Sequence, residues 1–229
     1  MGVEDDAPLS LRQPRQSRQP ARMTPFPALA FGFMLGMRHA TDADHVAAVS
    51  TLVAGGPSAR RAALVGAWWG AGHSVSVLLV GGGLVLLRAP MPVRLALALE
   101  FLVAVMLVGL GVRSVATRAP QSGVAAVRPF AVGVMHGLAG SAVLALLVLG
   151  ATSSVLTASV YLVLFCIGTI GGMALVTALF AIPAAVAPAR TLRFERTIRV
   201  VAGFASIAIG LALAHRVGVT DGLFAATIP

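Results

Sequence analysis

The sequence predicts an all-α protein, a polytopic membrane helix bundle of about six spans. Three observations predict it. Of the 229 residues, 58% are hydrophobic and only 11% charged, with a mean hydropathy of +0.91. A soluble domain carries about 25% charged residues. Apolar stretches long enough to approach the ~20 residues of a membrane span recur along the chain. The positive charge, +9 at neutral pH, comes from arginine with no lysine, and the arginines fall mainly between the apolar stretches. That is the pattern of positive-inside anchors, so the expected partner is a lipid bilayer and not nucleic acid. The single cysteine, Cys166, lies in an apolar run, which excludes an internal disulfide and a cysteine-rich metal site.

Taken in order, residues 1–23 are polar and rich in Pro and Arg, and read as a disordered tail. No apolar core with a cleavage site follows, so no signal peptide is expected. A membrane domain then covers 24–217, and 218–229 reads as a short C-terminal tail. The apolar segments are 25–54, 62–87, 93–116, 129–150, 155–182 and 197–216, with Pro57, Pro90, Pro120 and Pro183 marking connections. Glycines inside the spans, such as Gly66, Gly70 and Gly72, suit close helix packing. Connections near 55–61, 113–128 and 183–199 carry Arg60, Arg61, Arg113, Arg118, Arg128, Arg190, Arg193, Arg196 and Arg199. The opposite side carries only Arg88, Arg94 and Arg216. The first group is therefore expected in the cytoplasm, in a multi-pass protein of the cytoplasmic membrane.

A weak internal repeat supports two inverted three-helix units, 25–116 and 129–216. Aligning His39 with His136 also aligns Phe33 with Phe130, Gly36 with Gly133, Ala48 with Ala145 and Leu52 with Leu149. Trp68 then matches Phe165 loosely. An odd number of spans per unit forces opposite orientations, a plan common in secondary transporters. It requires 25–54 to cross once, with Arg12, Arg15, Arg18 and Arg22 outside. A re-entrant hairpin over 25–54 would obey the charge rule better.

The chemistry concentrates in R-H-A-T-D-A-D-H, Arg38 to His45. Ionisable groups inside a span cost roughly 2.5–3.5 kcal/mol each on insertion scales and mark substrate or ion paths. Imidazole with carboxylate is the usual ligand set of borderline divalent metals. No Pro or Gly lies between His39 and Ala54, so a continuous helix is expected there. On such a helix His39, Asp42 and His45 share an arc of about 120°. Asp44 points elsewhere, to orient a histidine or to bind if the helix unwinds. His73, in W-W-G-A-G-H-S, and His136, in G-V-M-H-G-L-A-G-S, join the candidate ligands, each with glycines nearby that permit close backbone approach. Arg38, Glu100, Ser74 and Ser141 are candidates for lining the path or supporting a ligand. Glu100 has no basic residue one turn away, and Arg38 is a candidate partner across helices. Met34, Met37 and Met135 read as packing, and His215 and Asp221 as solvated residues at the membrane edge.

These residues resemble the nickel/cobalt transporter family, whose motif is His, four residues, then Asp-His, matched here by His39, Asp44 and His45. The V-A-A-V-S-T that follows, and the runs around His73 and His136, are similar to the short, urease-accessory-type nickel permeases of that family. The resemblance covers about 25–216. It implies a permease driven by protons or membrane potential, carrying Ni²⁺ or Co²⁺ as substrate with no cofactor, and motif residues essential for transport. The chain lacks the additional spans of longer members and an L-G-x-D-T-x-x-E run, and G-T-I-G-G-M at Gly168–Met173 resembles the remnant of a later motif.

The expected function is secondary import of a divalent metal ion, not enzymatic catalysis. The sequence shows no P-loop for ATP hydrolysis. A homo-oligomer or an accessory subunit is neither required nor excluded by these residues. Two alternatives use the same site. A membrane metalloenzyme would activate water on the bound metal, with Glu100 as base. An exporter would carry histidines in its loops, which are absent from the connections here. The side of the N-terminal tail separates the two topologies of 25–54. With Cys166 replaced, a cysteine placed in the tail is expected to label from outside. Labelling from the cytoplasm would support the hairpin and remove the inverted repeat.

Overall fold

The computed structural model describes residues 25–54, 58–117, 126–151, 154–186 and 192–225. The tail expected over 1–23 lies outside them. Every regular element among the described residues is helical. The order is α1 (Pro25–His39), α2 (Ala43–Val53), α3 (Ala59–Ser76), α4 (Gly82–Leu87), α5 (Val93–Ala116), α6 (Val127–Ala151), α7 (Val155–Val186) and α8 (Leu192–His215). A π-helical segment, Val77–Gly81, joins α3 to α4, and a second, Arg216–Thr220, extends α8. Four stretches are long and apolar enough to cross a membrane: Ala59–Leu87, Val93–Ala116, Val155–Ile182 and Glu195–Thr220. Helix α6 adds 25 residues of similar character.

The apolar segment 25–54 is not one helix. Helix α1 has 15 residues and α2 has 11. At 1.5 Å per residue these are about 22 Å and about 16 Å long, each short of the ~30 Å hydrocarbon core. The break falls inside the histidine motif, at Ala40–Asp42, although neither Pro nor Gly is present. Thr41 and Asp42 supply the cause. Thr41 Oγ1 donates to the Arg38 carbonyl at 2.7 Å. Asp42 takes an extended backbone, φ −62 and ψ 147, as the N-cap of α2. Short polar side chains that bond to nearby backbone compete with the helix ladder and favour caps. The expected continuous helix is thereby corrected to two half-helices meeting at the motif.

Packing is organised around α3 and α7, which run against each other, with α1 on α7 and α6 on α3. Helix α5 pairs with α8, and α2 lies on α8 with lesser contacts to α3, α5 and α7. These helices touch backbone to backbone. A Cβ on Gly36 would sit 2.1 Å from the Phe165 carbonyl oxygen, and one on Gly133 would sit 2.0 Å from that of Trp69. Likewise a Cβ on Gly72 would lie 2.1 Å from the Phe130 oxygen, and one on Gly168 2.2 Å from the Phe33 oxygen. Serines add hydrogen bonds between helices. Ser114 Oγ donates to the Arg199 carbonyl at 3.0 Å, and Ser206 Oγ to the Leu107 carbonyl at 2.8 Å. The largest buried cluster gathers Val49, Trp69, Leu107 and Met173 beneath the motif.

The C-terminal stretch expected as a tail from 218 is partly built into the bundle. Val217 and Gly218 are buried, and Phe224 packs edge-on against Phe101 at 5.1 Å.

Close backbone approach makes a sharp stability test. Gly133→Ala is expected to destabilise the purified protein by about 1–3 kcal/mol, the usual range for overpacking. Gly83→Ala is the control, because nothing lies within 4 Å of a Cβ there. Equal thermal unfolding midpoints for the two variants would overturn this account of the α3–α6 contact.

Candidate metal centre

The break at 40–42 places His39 at the C-terminal end of α1 and Asp44 and His45 in the first turn of α2. The last carbonyls of a helix carry partial negative charge, so the end of α1 is a favourable place for a cation. His73 comes from the last turn of α3, just ahead of the π-helical segment, and His136 from the middle of α6. The four imidazoles converge. Ring centroids lie 4.5 Å apart for His39 and His45, 5.1 Å for His39 and His73, 5.5 Å for His45 and His73, and 4.8 Å for His45 and His136. His45, His73 and His136 are buried, and His39 is half-buried.

Three of these rings are held by one nitrogen and leave the other open. His39 Nδ1 is 2.7 Å from Asp42 Oδ2, and His45 Nδ1 is 2.9 Å from Asp44 Oδ1. His136 Nδ1 is 3.3 Å from the Val132 carbonyl. Carboxylates and carbonyls only accept, so each Nδ1 carries the proton and each Nε2 of a neutral ring keeps its lone pair. The Nε2 atoms of His39, His45 and His136 are buried without a hydrogen-bond partner, as are both ring nitrogens of His73. Buried polar atoms are normally satisfied, so several unsatisfied imidazole nitrogens in one cluster form a donor set that could hold a cation. The arrangement of a ring fixed through Nδ1 with Nε2 free is the usual preparation of a histidine ligand. Two sets of donors fall within 4.8 Å of one another: His39, His45 and His73, and Asp44, His45 and His136.

The roles of the two aspartates differ from the expectation drawn on a continuous helix. On a continuous helix Asp42 shares a face with His39 and His45, while Asp44 points elsewhere, to orient a histidine or to bind if the helix unwinds. In the structure Asp42 is exposed and clamps His39. Asp44 lies between His45 and His136, with Oδ2 3.8 Å from His136 Nε2. The half-helix break turns Asp44 inward.

A cavity of about 640 Å³ opens onto the centre, lined by His39, Asp42, Asp44, His45 and His136 together with Arg38 and Glu100. Arg38 is exposed and does not pair with Glu100. Glu100 pairs instead with Arg216, whose Nε also lies 3.6 Å from Asp221 Oδ2. Arg216 sits in the π-helical extension of α8, a position that no sequence period points to. His215 is exposed, as expected. Ser74 is buried and donates to the Cys166 carbonyl at 3.3 Å, so it fastens α3 to α7 and does not line the cavity. The side chain of Ser141 lies outside the described residues. Trp69 was not singled out in the sequence. Its ring centroid lies 5.4 Å from that of His45 and 5.6 Å from that of His136, and its indole nitrogen has no partner. Its position four residues before His73, on the same helix face, was the available signal.

No family model matches the chain. No solved structure matches it. The chain is 32% identical over 215 residues to the urease accessory protein UreH of Bacillus sp. (strain TB-90), covering 86% of this chain and 94% of that relative. At that identity and coverage the chain belongs to the family of urease accessory protein UreH, the urease-accessory branch that its histidine motifs resemble.

Proposed function

We propose that the chain is a secondary-active permease that imports Ni²⁺ across the cytoplasmic membrane, with Co²⁺ accepted by the same ligands. One observation carries the reading. Four histidines from four helices point unpartnered nitrogens at one another beside a carboxylate, at the end of a cavity. Such a donor set suits borderline divalent metals, and intrinsic affinity favours Ni²⁺ over Co²⁺. His39, His45, His73, His136 and Asp44 are the proposed ligands. Asp42 orients His39 and does not bind the ion. The relative is named for urease, which supports nickel as the cargo and urease maturation as its destination. The metalloenzyme alternative needs a general base at the metal. Glu100, its candidate, is engaged by Arg216, which favours transport.

The inverted-repeat plan belongs to the same proposal. Its support is reciprocal packing. Gly36 meets the backbone of Phe165 and Thr169 as Gly133 meets that of Trp69 and His73. Gly72 meets Phe130 as Gly168 meets Phe33. Ser114 bonds to Arg199 as Ser206 bonds to Leu107, at one common spacing. In this register the counterpart of Phe165 is the buried Trp69, not the half-exposed Trp68. A single crossing by the α1–α2 pair, as one discontinuous helix with its break at the binding site, completes six spans and is a known transporter device.

His39→Ala, Asp44→Ala and His45→Ala are each expected to abolish uptake of labelled Ni²⁺ in whole cells while the protein stays in the membrane. A methyl group cannot replace a ligand. Near-normal uptake by any two of them, at matched expression, would sink the assignment.

Binding of Ni²⁺ to the purified protein is expected to be strong at pH 7.5 and to weaken on acidification. Protonated imidazole has no lone pair for a metal, so binding releases protons and acid opposes it. Affinity and proton release both independent of pH would argue against histidine ligation.

A further inference from the structure

We propose that the centre holds its ion in two overlapping positions that share His45, one ion at a time, and that import passes the ion from one to the other. This inference rests on the reading that these residues carry the transported metal. The outer position is formed by Asp44, His45 and His136, and the inner position by His39, His45 and His73.

The donor atoms sort into those two triplets, each within 4.8 Å, with His45 common to both. All three outer residues line the cavity; His39 and His45 of the inner triplet line it too, and His73, wholly buried, does not. The Asp44 triplet is therefore complete at the cavity wall, whereas the His39 triplet is completed only by the buried His73, so the first full donor set open to an arriving ion is Asp44, His45 and His136. The two positions also differ in charge. The outer one includes a carboxylate, which offsets the charge of a dication that is losing water. The inner one offers imidazoles only, a softer set that suits Ni²⁺ but leaves its charge uncompensated. Tight capture at the outer position and weaker hold at the inner one is a sequence that allows onward release.

Single occupancy follows from the hydrogen bond that orients His45. Its Nδ1 is held by Asp44, so only Nε2 has a lone pair to give. One nitrogen cannot serve two ions at once. Because the ring centroid of His45 lies 4.5–5.5 Å from those of His39, His73 and His136, a small reorientation of this ring moves its donor from one triplet to the other. His45 is thus the hinge of the transfer, and His73 and His136 are each specific to one position.

The test combines equilibrium Ni²⁺ binding to purified protein, X-ray absorption of the bound ion, and whole-cell uptake. The wild type is expected to bind one Ni²⁺ per chain with no more than three imidazoles in its coordination shell. His73→Gln should still bind one ion, on two imidazoles and a carboxylate. His136→Gln should still bind one ion, with three imidazoles. Both should lose uptake at least tenfold, because transfer needs both positions, and His45→Ala should lose binding and uptake together. Four imidazoles around the wild-type ion, or two ions per wild-type chain, would overturn the proposal without depending on any variant. So would loss of binding in both glutamine variants, or normal uptake by either, and each of these outcomes leaves the permease reading standing. A wild type that binds no Ni²⁺, or a His45→Ala variant that binds as the wild type does, would instead remove the metal centre itself.

Discussion

Four imidazoles from four helices meet here, each ring centroid within 5.1 Å of at least one other, and the helices that carry them pack unusually closely. Ordinary helix pairs stand 8–10 Å apart, because side chains fill the gap. Here the gap is removed at Gly36, Gly72, Gly133 and Gly168, each facing a backbone carbonyl of the neighbouring helix. In a bilayer, helix association depends on packing and hydrogen bonding more than on the hydrophobic effect, so small residues at the seam are the main means of drawing helices together. The centre therefore depends on residues that take no part in its chemistry. Gly133 and Gly72 set the distance between α3 and α6, and with it the separation of His73 from His136. Gly36 and Gly168 do the same for α1 against α7, on which the position of His39 depends.

Within that frame the rings are aimed by hydrogen bonds to Nδ1. Asp42 fixes His39, Asp44 fixes His45, and the Val132 carbonyl fixes His136. His73 is the exception, with neither nitrogen bonded, although it is the most buried of the four. Its orientation is set by packing alone. It stands between the tight Gly72 contact and the π-helical segment from Val77, a type of helix defect often found at functional sites.

Much of this was legible in the sequence, for a physical reason. An ionisable residue in an apolar run has no cheap structural explanation, so His39, Asp44, His45, His73 and His136 stood out before any geometry was known. The limits of α5 were also clear, because its apolar run is bounded by a proline-containing turn and by arginine. The break in 25–54 is not marked by the usual helix breakers, Pro and Gly. Thr41 acts by bonding to the Arg38 carbonyl and Asp42 by its extended backbone, with its carboxylate on His39, and the T-D pair followed by an apolar run is a cap signal. The exchanged roles of Asp42 and Asp44 follow from the same break, since an angular argument holds only while the helix is continuous. The partner of Glu100 lies more than a hundred residues away in a π-helical turn, and no local pattern carries that contact.

On the proposed reading, the Arg216 bridge bears on the charge that an ion would meet before the histidines. The chain as a whole is strongly cationic, at +9, which taken alone would repel a metal and invite anions. Around the cavity the balance is reversed. Three carboxylates, on Asp42, Asp44 and Glu100, face two guanidinium groups, on Arg38 and Arg216, and Arg216 also leans on Asp221. Nearby charges act across a Debye length of about 8 Å at physiological salt, so an approaching ion responds to this local excess and hardly at all to the distant arginines. The cavity lining is therefore slightly acidic, on the side of the chain that carries few arginines, and this local balance would favour cations over anions.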